Sequence, residues 1–234
     1  MNFLCEKFYF KALRFGGGIT VAGDGEYIKR FLIRYVESLN ENLDLQVDFI
    51  VCYVRPEGSV DASVDCVLDF ARGIYSRGDL FVDYINCPDY EDVRSYYSCV
   101  RFLQAEKHLA VRSFLLITDL DYQLSKPEFS LFLDRVRPYS LALNEKLDIV
   151  QSLFPWLKYT AGTVYLTNDS AGHHFLALFK ESFRFVYNHN CFNWGIDQNI
   201  IFSVIECLKR RGILIGNIKK IGEPFSVPYD IKKR

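Results

Sequence analysis

The sequence lacks a dominant sign of charge: 28 Lys and Arg face 29 Asp and Glu, a formal charge of −1. That disfavours a chain built mainly to neutralise nucleic-acid phosphates and leaves room only for a local basic patch. Paired cysteines are lacking too. Cys5, Cys52, Cys66, Cys87, Cys99, Cys191 and Cys207 are odd in number, scattered and never spaced C-x-x-C, so neither a disulfide framework nor a zinc centre is indicated. Buried free thiols are expected instead. No apolar run approaches the roughly 18 residues of a membrane span. Glu6, Lys7, Lys11 and Arg14 interrupt the stretch where a signal peptide would need unbroken apolar residues. Repeats, low-complexity tracts and long Pro/Gly linkers are missing as well. These absences point to a soluble, cytoplasmic protein in a reducing compartment, with one continuous domain over residues 1–234.

What is present suits a large core. Half of the 234 residues are apolar, and 20 Phe, 15 Tyr and 2 Trp exceed what stacking on a ligand would use, so most of them must fill the interior. Short β-branched or aromatic runs alternate with helical patterns, which predicts an α/β class with a mostly parallel central sheet flanked by helices. Gly18–Ala22 reads as a first buried strand, broken at Gly23-Asp24-Gly25 before Ile28, Leu32, Tyr35, Val36 and Leu39 mark a helix face. Val47–Val54 and Val82–Ile85 read as further strands. Val93, Tyr96, Tyr97, Val100 and Leu103 follow helical spacing, with Asp89, Glu91 and Asp92 suited to the start of that helix.

Ser113–Thr118 is a run of the kind buried on both faces of a parallel sheet, and it ends in Asp119-Leu120-Asp121. Ligands of open α/β sheets bind beyond the carboxyl ends of the strands, and alternate residues of an extended chain point the same way. Asp119 and Asp121 would therefore converge on one hard cation, Mn²⁺ or Mg²⁺, of the kind shared with a diphosphate. Aspartates also end strands simply as turn formers, so the pattern by itself leaves both readings open.

Around this pattern the order of features resembles the GT-A fold nucleotide-diphospho-sugar glycosyltransferases of the glycogenin-like and galactosyltransferase-like group. Ile19–Asp24 stands where that family has its first strand and base-binding loop, and Tyr97–Phe102 resembles the arginine-bearing helix before its D-x-D strand. Leu115–Asp121 matches that strand. Tyr159–Leu166 resembles the x-A-G strand on the acceptor side, and Trp194–Gln198 the W-x-x-D-Q loop that opens a late helix. The resemblance implies a single Rossmann-like GT-A domain and a metal-assisted transferase of hexosyl type. It would move a sugar from a nucleotide-sugar, a UDP-sugar first, to a hydroxyl of a glycan, protein or small molecule. It implies Asp119 and Asp121 as metal ligands; Ala22, Gly23, Asp24, Arg101, Asp119, Leu120, Gly162 and Thr163 on the donor; and Asp197 and Gln198 as catalytic residues facing the transferred sugar.

Each assignment has a plainer counterpart. Arg101 suits either a carboxylate of the motif or a phosphate, and equally a solvated helix charge. Gly162 inside a strand suggests that something approaches its backbone closely, or else a β-bulge. Asp197 precedes the helical face Ile200, Ile201, Val204, Ile205 and Leu208, which would make it an N-cap, and that helix should end at Lys209-Arg210-Arg211-Gly212. Many relatives complete the ion with a histidine near the C-terminus. The histidines here are 108, 173, 174 and 189, none of them after the last helix; His173 and His174 fit an ordinary amphipathic helix after Asn168-Asp169-Ser170. Two aspartates, diphosphate and water would then hold the ion. This departure keeps open an alternative, a catalytically inactive GT-A-like module that binds a nucleotide-sugar or a protein. A nucleotidyltransferase is disfavoured, because Gly23-Asp24-Gly25-Glu26 lacks the basic residue of its signature loop. Pro224, Pro228 and Lys232-Lys233-Arg234 read as an irregular tail, its charge suited to a solvated end or to peripheral contact with an anionic membrane.

Overall fold

A computed structural model describes residues 16–87, 93–146, 154–189 and 195–228. Along the chain come β1 (Gly17–Gly23), α1 (Gly25–Asn42), β2 (Val47–Pro56), α2 (Ala62–Ile74), β3 (Leu80–Cys87), α3 (Val93–Leu109) and β4 (Phe114–Thr118). The second half adds β5 (Gln123–Leu124), α4 (Phe129–Val136), β6 (Leu141–Glu145), β7 (Tyr159–Thr167), α5 (Ser170–Asn188), α6 (Ile196–Arg210), β8 (Ile215–Asn217), the short α7 (Ile218–Ile221) and β9 (Phe225–Ser226). Seven strands form one sheet in the order β3-β2-β1-β4-β7-β6-β8. Only β7 runs against its neighbours, antiparallel to both β4 and β6, so the sheet is mostly parallel.

Strand alternation supplies both faces. Phe49, Val51 and Tyr53 of β2 pack toward α1 and α2, while Ile50, Cys52 and Val54 pack toward the layer of α3, α5 and α6. A strand buried on both sides reads as an unbroken apolar run, which is why β1, β2 and β4 were legible from sequence. The helices start where short polar side chains can satisfy free N–H groups: Asp24, Asp61 and Asp169 cap α1, α2 and α5 through their carboxylates. At the end of α6 the Gly212 N–H donates to Lys209 O and the Ile213 N–H to Leu208 O, with Gly212 left-handed at φ 79°, a Schellman stop where the basic run foretold one.

Two expectations need correction. Asp197 is not a cap: the N-cap of α6 is Gly195 at φ 85°, and Asp197 lies in the first turn with its carboxylate drawn inward to a guanidinium. The tail is not wholly irregular, because Phe225 is buried in the core and β9 pairs with β5. Cys5, Cys191, Trp194, the acidic residues 89, 91 and 92, and Lys232–Arg234 lie outside the described residues; Cys52, Cys66, Cys99 and Cys207 are free thiols. Among the described residues no helix is long and apolar enough to cross a membrane.

Behind the sheet a buried polar network ties α3 to β2 and β3. The Arg112 guanidinium donates through Nε and Nη2 to Asp48 Oδ2 at 3.1 and 2.9 Å, and Asp83 Oδ2 lies 2.6 Å from His108 Nε2 and 2.9 Å from Lys107 Nζ. Burial would raise the Asp83 carboxyl, but hydrogen bonds from His108 and Lys107 outweigh it and hold it below the usual carboxylate range. A depressed folded-state pKa gives stability that is present above the unfolded value, about 3.9, and is lost as the pH falls through the folded one. Asp83→Asn should therefore cost most at neutral pH, and its deficit against the parent should shrink in acid below about pH 4. Urea midpoints at pH 7, 4 and 3 measure this; a pH-independent deficit would contradict the assignment.

Candidate active site

The chain order of the sheet reverses between β1 and β4, since β2 and β3 lie on one side of β1 and the later strands on the other. The crevice beyond the carboxyl ends at such a point is where open α/β sheets bind ligands. Here it is lined by Gly23 and Asp24 from β1, Asp119–Tyr122 from β4 and Ala161–Thr163 from β7, which pairs with β4 at Thr163 opposite Thr118.

Arg101 joins these pieces. Its Nη1 donates to Asp119 Oδ1, and its Nη2 lies 3.2 Å from Ala161 O and 3.4 Å from Asp197 Oδ2. The side chain is 4% exposed, and its guanidinium carbon sits 5.3 Å from the Phe102 ring centre. Of the readings open to Arg101, the structure brings the carboxylate pairing and removes the solvated one. Asp197 accepts on both oxygens, from Arg101 and from the Gln198 backbone N–H at 2.9 Å.

The D-x-D segment is a turn and not an extended chain: the Tyr122 N–H donates to Asp119 O at 3.2 Å. The two carboxylates consequently have different neighbours, Arg101 for Asp119 and the Tyr27 hydroxyl for Asp121. Burial, reinforced by the charge and hydrogen bond of Asp121, raises the Tyr27 phenol above its usual pKa. Leu120 between them points into the core, 1% exposed, so only its backbone is left to face a ligand. As a donor set, two partly exposed carboxylates fit a hard divalent ion whose remaining ligands are oxygens of substrate and water. Among the described residues no third His, Cys, Asp or Glu joins them.

The remaining sequence candidates fall as follows. Ala22 and Gly23 end β1, where a Cβ on Gly23 would come within 3.1 Å of the Tyr27 ring and 3.5 Å of Leu120. Asp24 accepts from the Tyr27 N–H at 2.7 Å, so it caps α1 at the mouth of the crevice. The close approach at Gly162 is internal: a Cβ there would stand 2.3 Å from the Tyr122 hydroxyl. The bulge is present too, since the β6 register jumps from Leu143 opposite Val164 to Asn144 opposite Thr160. Thr163 is fully buried, and its hydroxyl donates to Glu223 Oε1 at 3.3 Å. His108 pairs with Asp83 away from the crevice, and His173 sits on α5 beside Asn168.

Sequence reasoning missed Tyr27, Tyr122, Asn144 and Glu223. Tyr122 adjoins the D-x-D pattern and could have been found by that adjacency. Glu223 carries only the turn signal Gly222–Pro224, which says nothing of where the turn goes.

No protein-family model and no curated protein matches the chain. Solved structures do. The galactosyltransferase LgtC, in complex with donor and acceptor sugar analogues, matches at a TM-score of 0.57 and 18% identity over 79% of this chain and 69% of its own. A glutamine-to-glutamate active-site mutant of LgtC matches at 0.54 and 15% over 80% and 70%. The glycosyltransferase GlyE of Streptococcus pneumoniae TIGR4 matches at 0.55 and 15%, over 86% of this chain and 45% of its own. At such identities the shared property is architecture, and the chain has the GT-A fold of these glycosyltransferases.

Two outcomes follow from the geometry. Replacing Arg101 by Met would strand Asp197 as a buried, unpaired charge, with an expected loss of about 3–5 kcal/mol in urea unfolding; a loss below about 1 kcal/mol would show that the pair is not buried. Gly162→Ala should cost about 1–3 kcal/mol by overpacking against Tyr122, and much less in a Tyr122→Ala background. Equal costs in the two backgrounds would contradict the contact.

Proposed function

We propose that the chain is a glycosyltransferase of hexosyl type that moves a sugar from a nucleotide-diphosphate-sugar, a UDP-sugar in first place, to an acceptor hydroxyl. The observation that carries this is the pair Asp119, anchored by Arg101, and Asp121, beside the Tyr27 hydroxyl, at the β1/β4 crevice of a GT-A sheet. Asp119 and Asp121 would hold a divalent ion, Mn²⁺ or Mg²⁺, which when bound neutralises charge on the leaving diphosphate. Ala22, Gly23 and Asp24 take the base and ribose, together with Tyr27, whose ring packs on Gly23. Arg101 fixes the direction of Asp119. Gly162 and Thr163 act through their backbone and through the neighbours they set.

Asp197 accepts hydrogen bonds on both oxygens, from Arg101 and from the Gln198 N–H, which fixes its carboxylate in place. Its role is a fixed negative charge facing the carbon that becomes electron-poor as the donor bond breaks, with the Gln198 amide beside it. The active-site glutamine of LgtC supports the second of these placements.

One observation favours a second reading, a donor-binding module without turnover: Asp119 is already ion-paired, so an ion must compete with Arg101. Thermal stability against UDP-, GDP-, CMP- and dTDP-sugars with and without Mn²⁺ tests both. A ligand at 100 times its Kd should add about 2.7 kcal/mol. The transferase reading expects a shift with one nucleotide that needs the ion, lost in Asp121→Ala and Asp119→Ala, together with slow donor hydrolysis. A shift without any hydrolysis would favour the module; undiminished turnover in either variant would overturn the roles of both aspartates.

A further inference from the structure

A fifth carboxylate, beside Asp24, Asp119, Asp121 and Asp197, has no part in this scheme. Glu223 comes from the far end of the chain, between Gly222 at φ 118° and Pro224. Its backbone is anchored on both sides. Pro224 O accepts from the Ser125 N–H at 3.0 Å and the Ser125 hydroxyl at 3.2 Å, and Phe225 is buried in the core. The side chain is held as well: Glu223 Oε1 accepts from Asn144 Nδ2 at 2.5 Å and from Thr163 Oγ1 at 3.3 Å. Both donors use the same oxygen, so neither occupies Oε2. Asn144 Oδ1 is buried with no hydrogen-bond partner among the described residues, a polar group whose desolvation goes uncompensated without a ligand or a water.

Tyr122 divides the crevice. Its phenol is raised by burial and then by two carboxylates, Glu223 and Asp121, and it therefore stands near both. On the β1 side lie Asp121, Tyr27 and Asp24; on the β6–β7 side lie Glu223, Asn144 and Thr163. Arg101 pairs with Asp119 and Asp197, whereas the hydrogen bonds of Glu223 run to Asn144 and Thr163. The Glu223 carboxylate adds negative charge to its side of Tyr122, which disfavours an anionic diphosphate there relative to a neutral polyol. A carboxylate with a free oxygen beside an aromatic ring is the chemistry that grips sugar hydroxyls while an apolar sugar face lies on the ring.

Resting on the glycosyltransferase reading, we infer that Glu223, set in place by Asn144 and Thr163, binds hydroxyls of a neutral sugar acceptor across Tyr122 from the donor.

The test uses the full chain with Mn²⁺, UDP-glucose and UDP-galactose as donors, and the methyl glycosides of glucose, galactose and N-acetylglucosamine as acceptor probes. Glu223→Gln keeps the shape and removes the charge. Losing a hydrogen bond to a charged group should raise the acceptor KM about tenfold or more, with kcat and the donor Kd each within about twofold of the parent. Glu223→Asp, which keeps the charge but withdraws it by one methylene, should fall between the two, and serves alone if Glu223→Gln does not fold. An unchanged acceptor KM overturns the assignment. So does a fall in kcat at constant KM, which would make Glu223 a proton acceptor, or a weakened donor Kd, which would place it on the donor side. A parent protein that hydrolyses donor yet glycosylates none of the probes overturns the sugar acceptor. A parent that binds neither donor sinks the transferase reading, and this one with it.

Discussion

Arg101 is the constraint on which the crevice depends. Its buried guanidinium meets Asp119, 18 residues on, the carbonyl of Ala161, 60 residues on, and Asp197, 96 residues on. One side chain thus ties together the middle of α3, the turn after β4, the bulged part of β7 and the first turn of α6. A cation so deeply placed is stable because two carboxylates and a carbonyl replace its water. Lysine could not substitute, since a point charge cannot span three acceptors in one plane.

A second layer of packing follows from that centre. With Asp119 directed at Arg101, the turn 119–122 carries Tyr122 across β7, and only a residue without a Cβ fits at position 162 beneath the phenol. The glycine therefore serves an internal contact first, and whatever it does for a ligand is transmitted through Tyr122. The register jump between Leu143 and Asn144 has a parallel effect, since it aims Asn144 at Glu223 and not along the sheet.

This ordering explains what the sequence revealed and what it hid. β1, β2 and β4 are legible because burial on both faces writes an apolar run, and α1, α5 and α6 because one-sided burial writes a 3.6-residue period. The short strands β5, β8 and β9 of two or three residues are too brief to carry a period. Asp119, Asp121, Arg101 and Asp197 were visible as residue types in a familiar order, but their pairing was not, because no local rule relates positions 18 to 96 residues apart. Asp197 shows this most clearly: its place at a helix start predicts a cap, and a distant guanidinium decides otherwise.

The charge of the crevice links the two halves of the argument. Asp121 and Glu223 add carboxylates beyond the two that Arg101 pairs with, an excess of negative charge that is tolerable while water screens it and becomes costly as a ligand displaces that water. A bare diphosphate entering there would add like charge in a falling dielectric, so anion binding and cation binding must be coupled at Asp119 and Asp121. The same field acts in the opposite sense beyond Tyr122, where a neutral molecule rich in hydroxyls can supply donors to oxygens that lose their water. On the proposed reading, selectivity between an anionic donor and a neutral acceptor would follow from where the carboxylates stand relative to one tyrosine.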